Sequence, residues 1–306
     1  MKQLVVLSGK GGTGKTSVSA ALAHLYATSA AFHPPVLVDA DVDAANLSLL
    51  LQPKLGDAND FFGGSLAEIE EASCLNCGLC VPVCRYDAVF PHPEGLPVHI
   101  IDPIACDGCA ACVYACPHGA IQMCQQQEGL WFNSESPYGT LFHAELFAGR
   151  ENSGKLVTLV RQQGRLFAEE NERELLIIDG PPGIGCPVIS ACAGVDLGLV
   201  VTEPGLAGLH DLERALRTLS HFKVPAVVCV NKADLSPEGT SAILAFASQF
   251  GVDIVGEIPF DKSVGDAIQA GMPVTALHPE SKSAKALRAI FERLLPLLET
   301  GSTYAK

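Results

Sequence analysis

The chain alternates short apolar runs of strand length with longer amphipathic segments of helical period. Each apolar run predicts a buried strand, and each helical segment follows a strand, which is the rhythm of a parallel sheet covered by helices. The predicted fold class is therefore α/β. The predicted strands are residues 4–7, 36–38, 175–178, 197–201, 226–230 and 254–258. The predicted helices are residues 17–28, 153–171, 209–222 and 285–298, the last interrupted at Pro296.

One stretch breaks this rhythm. From about residue 61 the helix and strand periodicities fade, while Cys, Gly and Pro become more frequent. An aromatic-rich segment, residues 129–146, then predicts a hairpin that returns the chain to the main sheet. We expect a small domain at residues 63–125, inserted into a larger α/β domain formed by residues 1–62 and 126–306.

The first strand runs directly into a glycine-rich turn and a helix. The turn has the spacing Gly9-x4-Gly14-Lys15-Thr16, which is a P-loop. Its glycines expose backbone N–H groups to phosphate, Lys15 reaches the β- and γ-phosphates, and the Thr16 hydroxyl is placed for Mg²⁺. The alternative is a glycine-rich turn without a ligand. The predicted nucleotide-binding residues here are Gly9, Lys10, Gly11, Gly12, Thr13, Gly14, Lys15, Thr16 and Ser17.

Carboxylates follow two of the other predicted strands. Asp39 and Asp41 come after residues 36–38, and Asp179 closes residues 175–178. The carboxyl ends of parallel strands border the ligand crevice of such sheets. Asp179 matches a Walker-B aspartate that holds Mg²⁺ through water, and Gly183 belongs to a second switch that senses the γ-phosphate. The alternatives are helix capping by Asp41, Asp43 or Asn46, and a plain strand-ending aspartate at position 179.

Eight of the twelve cysteines form two runs with the same spacing. The runs are Cys74-x2-Cys77-x2-Cys80-x3-Cys84 and Cys106-x2-Cys109-x2-Cys112-x3-Cys116. This is the pattern of a bacterial ferredoxin with two [4Fe–4S] clusters, in which the fourth cysteine of each run ligates the other cluster. One cluster takes Cys74, Cys77, Cys80 and Cys116, and the other takes Cys84, Cys106, Cys109 and Cys112. One departure is Arg85, which stands where proline commonly follows the fourth cysteine; two zinc sites are the alternative.

Bulk composition narrows the function classes. The chain has 306 residues and a net charge of −14, and a charge of this sign argues against nucleic acid as a partner. No apolar run approaches the roughly 20 residues of a membrane helix, and the N-terminus leads straight into the P-loop strand rather than a secretory signal. We expect a cytoplasmic protein without a membrane partner, in which cysteines bind metal rather than form disulfides.

The motifs together resemble the MinD/ParA superfamily of P-loop ATPases, which includes the nitrogenase iron protein and the Mrp-type cluster carriers. The shared motifs are the loop with an early lysine, Lys10-Gly-Gly-Thr-Gly-Lys15-Thr16, then Asp39-Ala-Asp41, Asp179-Gly-Pro-Pro-Gly183 and Asn231-Lys-Ala-Asp234. The resemblance implies a Rossmann-like, mostly parallel sheet that binds ATP and Mg²⁺ and dimerises with ATP.

The resemblance also implies residue roles. Lys10 reaches the partner's phosphates, Asp41 positions the attacking water, and Asp39 lies near the Mg²⁺ shell. Asn231 contacts adenine, and the Pro259-Phe260 segment lines the base pocket together with Asp234, for which helix capping is the alternative. The implied catalytic residues are Lys10, Lys15, Asp41 and Asp179.

Function follows from the placement of the cysteine runs directly after the Asp39–Asp41 switch. We expect nucleotide-driven dimer switching to be coupled to electron transfer through the clusters, with a redox or cluster-acceptor protein as partner. Alternatives are an iron–sulfur cluster carrier and a positioning ATPase with a redox sensor. Cys186 either binds a bridging cluster or packs under the switch as a small apolar side chain. Cys192 and Cys229 are expected in the core, and residues 285–298 against the sheet.

Overall fold

The computed structural model describes residues 1–149 and 153–300. Nine strands of the described chain form one sheet in the order β11-β10-β9-β1-β8-β2-β7-β6-β3, and two form a small antiparallel sheet, β4-β5. The strands are β1 (Lys2–Ser8), β2 (Val36–Asp39), β3 (Ala58–Ile69), β4 (Val89–Pro91), β5 (His99–Ile101), β6 (Ile121–Ser136), β7 (Gly139–Leu146), β8 (Leu175–Pro182), β9 (Leu197–Thr202), β10 (Ala226–Asn231) and β11 (Asp253–Ile258).

Helices connect the strands, as the alternating pattern predicted. They are α1 (Lys15–Ala27), α2 (Leu47–Leu51), α3 (Ala111–Ala115), α4 (Ser153–Glu170), α5 (Cys186–Cys192), α6 (Leu206–His221), α7 (Pro237–Phe250), α8 (Lys262–Gln269), α9 (Val274–Leu277) and α10 (Lys282–Thr300). In the sheet order given above, the six neighbouring pairs between β11 and β7 are all parallel. The predicted α/β class with a mostly parallel sheet is confirmed.

The parallel register brings the functional ends of the strands to one edge. Asp39 at the end of β2 is paired in register with Asp179 on β8, and Val6 of β1 is paired with Asp179 from the other side. The first helix packs on this sheet through apolar residues such as Val18 and Leu22. The P-loop, the two carboxylates and the end of β10 therefore meet at the carboxyl edge, where open α/β sheets bind ligands.

The chain divides into two compact units. The larger unit comprises Met1–Asn59, Trp131–Glu145 and the chain from Ser153 onward, and the smaller unit comprises Asp60–Leu130 and the short stretch that begins at Leu146. The insert was expected at residues 63–125. The smaller unit holds both cysteine runs, and its buried core includes Cys80 and Cys112 among apolar side chains.

Two expectations about secondary structure were wrong. The periodicity was expected to fade from about residue 61, but β3 continues to Ile69. The terminal helix was expected to be interrupted at Pro296, but α10 continues through this residue. Its apolar face, which includes Leu287, Ile290 and Leu294, packs into the main core, and this burial offsets the hydrogen bond that proline cannot donate.

Candidate functional site

The tip of the loop after β1 presents backbone rather than side chains. A Cβ placed on Gly11 or Gly12 would have no neighbouring atom within 4 Å apart from the adjoining residues, so the space beside them is open. Gly12 and Gly14 have φ angles of +80° and +93°, which disfavour any residue with a side chain. A loop of bare backbone at the start of α1 fits a phosphate group, because its N–H groups and the helix dipole both favour an anion there.

The two ends of the same loop are fixed by close packing. A Cβ on Gly9 would lie 2.1 Å from the Cβ of Asp211, and one on Gly14 would lie 2.3 Å from Nδ2 of Asn231. Glycine is therefore required at positions 9 and 14 for packing, and at positions 11 and 12 to leave the ligand space clear. The pattern that predicted a P-loop thus has two separate physical causes.

Asp179 is the hub of the predicted magnesium site. Its carboxylate accepts hydrogen bonds from the hydroxyls of Thr16, at 2.8 Å, and Ser19, at 2.7 Å. Thr16 and Asp179 were both predicted to serve Mg²⁺, and the fold brings their oxygens into direct contact. Hydroxyl and carboxylate oxygens are hard donors that suit this ion. The role of Ser19 could not be found from the motif, because serine in a first helical turn carries no distinctive signal.

Lys15 is placed beside the same carboxylate but is not fully satisfied. Its Nζ lies 3.1 Å from Oδ1 of Asp179, and the side chain is buried. Within the described residues, Nζ has no hydrogen-bond partner of acceptable geometry. A buried ammonium with unused donors is costly unless an anion completes it. This orphaned group fits the phosphate that the loop is shaped to receive.

Asp39 is fully buried and holds the loop that follows β2. Its carboxylate accepts the backbone N–H of Asp41 at 3.1 Å and of Leu47, the first residue of α2, at 2.9 Å. Burial, followed by the negative charge of Asp179, raises the pKa of Asp39 to about 7. Capping of α2 was considered for Asp41, Asp43 or Asn46, but it is Asp39 that accepts its first N–H.

Asp41 is half-buried at the same edge. Burial raises its pKa, whereas the positive charge of Lys15 acts in the opposite direction. The Asp41 carboxylate is therefore close enough to Lys15, the predicted phosphate-binding lysine, for the positive charge of Lys15 to affect its pKa. Its predicted role toward the attacking water stays a prediction.

Lys10 is held by a carboxylate that the motifs did not reveal. Glu203, just after β9, forms ion pairs with Lys10 and with Lys232, the second at 3.0 Å. The hydrogen bond to Glu203 raises the pKa of Lys10. Partial burial would raise the pKa of Glu203, but its hydrogen bonds to the two lysines outweigh burial and lower it. Lys232 also donates to the carbonyl of Gly12, at 3.1 Å, so this network reaches the loop tip.

Asn231, predicted to contact adenine, has a structural contact of its own. Its Nδ2 donates to the carbonyl of Thr13 at 2.7 Å, and its Oδ1 accepts the N–H of Lys232. Asn231 therefore fixes the P-loop from the end of β10. Base contact by the same side chain stays a prediction.

The remaining predicted nucleotide residues lie around this edge. Asp234 accepts the N–H of Phe260 at 2.6 Å, which ties the Pro259-Phe260 segment to the loop after β10, and the Phe260 ring is half-exposed. Helix capping by Asp234 was the alternative, but α7 is capped by Ser236, which accepts from Gly239. Gly183 has a φ of +89° and donates to the Ser8 carbonyl, and Ser17 lines a small apolar pocket with Leu50 and Val264.

The eight cysteines of the two runs line two pockets in the smaller unit, each with about 320 Å³ of space not filled by protein, part of it open to solvent. The first, which we name site one, is lined by Cys74, Cys77, Cys80 and Cys116. The second, site two, is lined by Cys84, Cys106, Cys109 and Cys112. Each site therefore takes three cysteines from one run and the fourth from the other, the same grouping that the spacing predicted.

The two runs also share a backbone conformation, at a fixed offset of 32 residues. Left-handed φ angles occur at Asn76 and Gly78 around the second cysteine of the first run, and at Gly108 and Ala110 around that of the second. They recur at Asp87 and Gly119, three residues after each fourth cysteine. Two hydrogen bonds are exchanged in the same way: Glu70 N to Ala120 O and Asp102 N to Ala88 O, both 2.8 Å.

The thiols surround each cavity instead of converging on one point. Across residues 1–149 and 153–300, no group of three or more His, Cys, Asp or Glu side chains is arranged to hold a single metal ion. Burial raises the pKa of the Cys80 thiol, and the nearby Cys77, Cys74 and Cys116 raise it further. The four thiols of site one are thus neighbours around a shared space.

The other cysteines have separate environments. Cys192 and Cys229 are fully buried, as expected for core positions, and burial raises the pKa of each to about 12. Cys186 is exposed at the start of α5. Its alternative as an apolar side chain packed under the switch is therefore wrong, whereas a bridging cluster stays a prediction. Cys124, which belongs to neither run, is half-buried, and its thiol donates to Glu68.

Comparison with known families decides the identity of the larger unit. Residues 4–274 match the model of the CobQ/CobB/MinD/ParA nucleotide-binding domain. The chain belongs to this family. It is a MinD/ParA-type P-loop ATPase, which binds nucleotide and hydrolyses ATP.

Individual relatives agree with this assignment. An uncharacterised protein of Methanocaldococcus jannaschii is 32% identical over 292 residues, 95% of this chain and 96% of the relative. An iron–sulfur cluster carrier protein of Pyrococcus furiosus is 30% identical over 160 residues, 48% of this chain and 53% of the relative. The septum site-determining protein MinD of Pyrococcus horikoshii, solved with Mg-ADP, is 19% identical with a TM-score of 0.59, and the match covers 99% of both chains, which shows a shared fold.

In the part of the chain that the structure describes, no helix is both long enough and apolar enough to cross a bilayer.

The Lys10–Glu203 ion pair predicts that Glu203 restrains nucleotide binding. We expect Glu203→Gln to tighten Mg-ATP binding roughly three- to tenfold, because it frees Lys10 and removes a negative charge near the phosphates. Isothermal titration calorimetry measures the change. The matched control is Glu213→Gln on the surface of α6, where the carboxylate pairs only with Arg217 among its described ion-pair partners. Weaker binding by Glu203→Gln would show that the carboxylate supports the site instead.

The Asn231–Thr13 hydrogen bond predicts a loss that does not depend on the base. We expect Asn231→Ala to weaken ATP and GTP binding by the same factor, about fivefold, because the P-loop loses a partly buried hydrogen bond of about 1 kcal/mol. Parallel affinity measurements with the two nucleotides test this. Asn171→Ala is the control, since its amide contacts only the exposed end of α4. A loss confined to ATP would identify Asn231 as a reader of adenine.

Proposed function

We propose that this ATPase holds two [4Fe–4S] clusters, one in each cysteine site, and couples nucleotide-driven dimer switching to electron transfer through them. The observation that carries the proposal is the paired arrangement of sites one and two. Each has four thiols, three from its own run and one from the other, around a shared cavity.

The chemistry of the donor set supports iron–sulfur clusters over zinc. Thiolates are soft ligands that suit both, but zinc draws its four ligands toward one point at about 2.3 Å for sulfur. A [4Fe–4S] cluster is instead held by thiolates attached to separate irons, so its ligands stand around a volume. When bound, such clusters accept and release single electrons, which is the chemistry they would supply here. The cysteines themselves form part of the small unit's core, so a bound cluster also completes its packing.

Iron content in cysteine variants tests the shared ligand sets. We expect anaerobically reconstituted protein to hold eight irons and eight sulfides per chain, two cubanes of four each. Cys77→Ser combined with Cys116→Ser should lose four irons, because both residues line site one. Cys77→Ser combined with Cys109→Ser should lose all eight, because each site then lacks a ligand.

Cys124→Ser is the matched control, since Cys124 belongs to neither site, and it should keep all eight irons. If instead the Cys77→Ser, Cys116→Ser pair lost all eight irons, each run would be ligating its own cluster and the exchange of fourth cysteines would be disproved. Absence of iron from every preparation would overturn the proposed clusters.

The nucleotide site supports a switch that includes a second copy of the chain. Lys10 stands at the rim of the phosphate loop and is bound to a carboxylate of its own chain, so its ammonium must leave Glu203 before it contacts anything else. Apolar side chains are exposed near the same edge: Ile184 next to Gly183, and Leu206, 90% exposed, at the start of α6. An exposed apolar rim around a charged site favours a partner surface. In the proposal, ATP draws Lys10 across an ATP-bound homodimer, and hydrolysis with Asp41 and Asp179 resets it.

Coupling is tested by blocking hydrolysis without removing the clusters. We expect Lys10→Ala and Asp41→Ala each to lower the ATPase rate roughly 100-fold, because each removes a group that acts on the reacting phosphate or water. ATP-dependent electron transfer from the reduced clusters to an acceptor protein should fall with it, at unchanged iron content. Lys285→Ala and Asp43→Ala, which alter charges at exposed positions, are the controls. Electron transfer that proceeds equally without ATP, or in the Lys10→Ala and Asp41→Ala proteins, would reject the coupling.

A cluster carrier is the second candidate, because a relative that matches about half of this chain is named an iron–sulfur cluster carrier protein. The complete set of four thiols within one chain at each site favours retention over delivery. The iron assay separates the two functions: iron that moves from this protein to an apo-enzyme requiring a [4Fe–4S] cluster would favour the carrier, and iron that stays would favour electron transfer.

A further inference from the structure

The two cysteine sites share a backbone but differ in their walls. Each of the twelve residues lining site one has a counterpart 32 positions away in the wall of site two. Seven of these pairs are identical or conservative, among them all four cysteine pairs. Five pairs change the chemistry or size of the wall. They are Leu75 and Asp107, Gly78 and Ala110, Leu79 and Ala111, His99 and Ala67, and His118 and Tyr86.

His99 gives site one a polar group that site two lacks. It is the first residue of β5 and only 7% exposed. Its Cε1 lies 3.9 Å from the place where a Cβ on Gly78 would stand, next to the ligand Cys77. Its Nδ1 has no hydrogen-bond partner among the described residues. A neutral imidazole carries its proton on either ring nitrogen. In the tautomer protonated at Nδ1, which the inference takes for His99, this buried N–H has no acceptor among the described residues, and the occupant of the cavity can accept it.

Site two carries negative charge where site one carries an apolar side chain. Asp107 follows the ligand Cys106, whereas its counterpart in site one is Leu75. Tyr86 lines the same site, where site one has His118. An electron added at site two is therefore close to the Asp107 carboxylate, whereas an electron added at site one is close to the His99 imidazole.

We propose that the two clusters have unequal reduction potentials, that a single electron resides at site one, and that His99 is the main residue setting this preference. The inference rests on the proposed function, since it requires both clusters. Hydrogen bonds to cluster sulfur and local charge are established determinants of these potentials. An N–H donor stabilises the additional negative charge of the reduced form, and a carboxylate destabilises it.

The redox step balances without bond changes. One electron leaves site two, which is oxidised, and arrives at site one, which is reduced, with no proton transferred. The electron enters from a low-potential one-electron donor, which is dithionite in the test below. Site one is then where a single electron resides in the small unit. Site two has the lower reduction potential, so an electron moves spontaneously from site two to site one.

The test is an anaerobic potentiometric titration of the full-length reconstituted protein, followed by electron paramagnetic resonance. We expect two midpoints that differ by at least 59 mV, which is a tenfold preference for a one-electron couple. His99→Ala should lower the higher midpoint by about this amount and leave the lower one in place. His99→Asn, which keeps an N–H donor, should shift it less. Asp107→Asn should raise the lower midpoint instead.

The matched control is His92→Ala, a histidine of the same unit that lines neither cavity and accepts the N–H of Glu94. It should leave both midpoints unchanged. Equal midpoints in the unaltered protein, or an unshifted higher midpoint in a His99→Ala protein that keeps eight irons, would overturn the inference and leave the proposed function intact. A protein without iron would overturn the proposed function, and the inference with it.

Discussion

The carboxylate of Asp179 ties together the parts that the nucleotide site needs. Asp179 lies on β8 between β1 and β2, and it binds the side chains of Thr16 and Ser19 from the first turns of α1. The direction of the helix after the P-loop is therefore set by a strand more than 150 residues away in sequence. Because the phosphate loop ends in the first turn of α1, a displacement of β8 also displaces the end of the loop. In the proposed mechanism, the same strand carries the predicted Mg²⁺ residue Asp179 and leads directly to the predicted switch residue Gly183, four residues further on.

A different constraint organises the small unit, in which neither cysteine run completes a site alone. Cys116 closes the site of the first run and Cys84 that of the second, and the exchanged hydrogen bonds at Ala120 and Ala88 follow the same two-fold relation. Such an exchange couples the two sites, because one run cannot shift without removing a thiol from the wall of the other site. The repeated left-handed residues provide the tight bends around each second cysteine. Symmetry in the backbone then leaves the wall residues free to differ.

The features predicted most reliably from the sequence are those that depend on the spacing of residues close together in the chain. The P-loop, the strand-ending Asp179 and the cysteine groups follow from residue types a few positions apart. The ion pair between Glu203 and Lys10 could not be predicted, because Lys10 lies 193 residues earlier and no sequence motif links the two positions. His99 was missed for a similar reason, since only the fold carries β5 to the wall of site one. The continuation of β3 was missed because Gly63 and Gly64 have low strand propensity, and pairing in the sheet overrides it.

The arrangement of charges explains how a chain with a net charge of −14 binds a polyphosphate. Each lysine at the loop already has a carboxylate: Glu203 for Lys10 and Lys232, and Asp179 for Lys15. Binding of nucleotide with Mg²⁺ is then an exchange of partners rather than the creation of a new charge cluster. In the predicted site the cation would take the Asp179 side and the phosphates would take Lys15, so each buried charge would be compensated before and after binding. Lys10 differs from Lys15 in being partly exposed, so it is the lysine that can leave its carboxylate without leaving a buried charge unpaired.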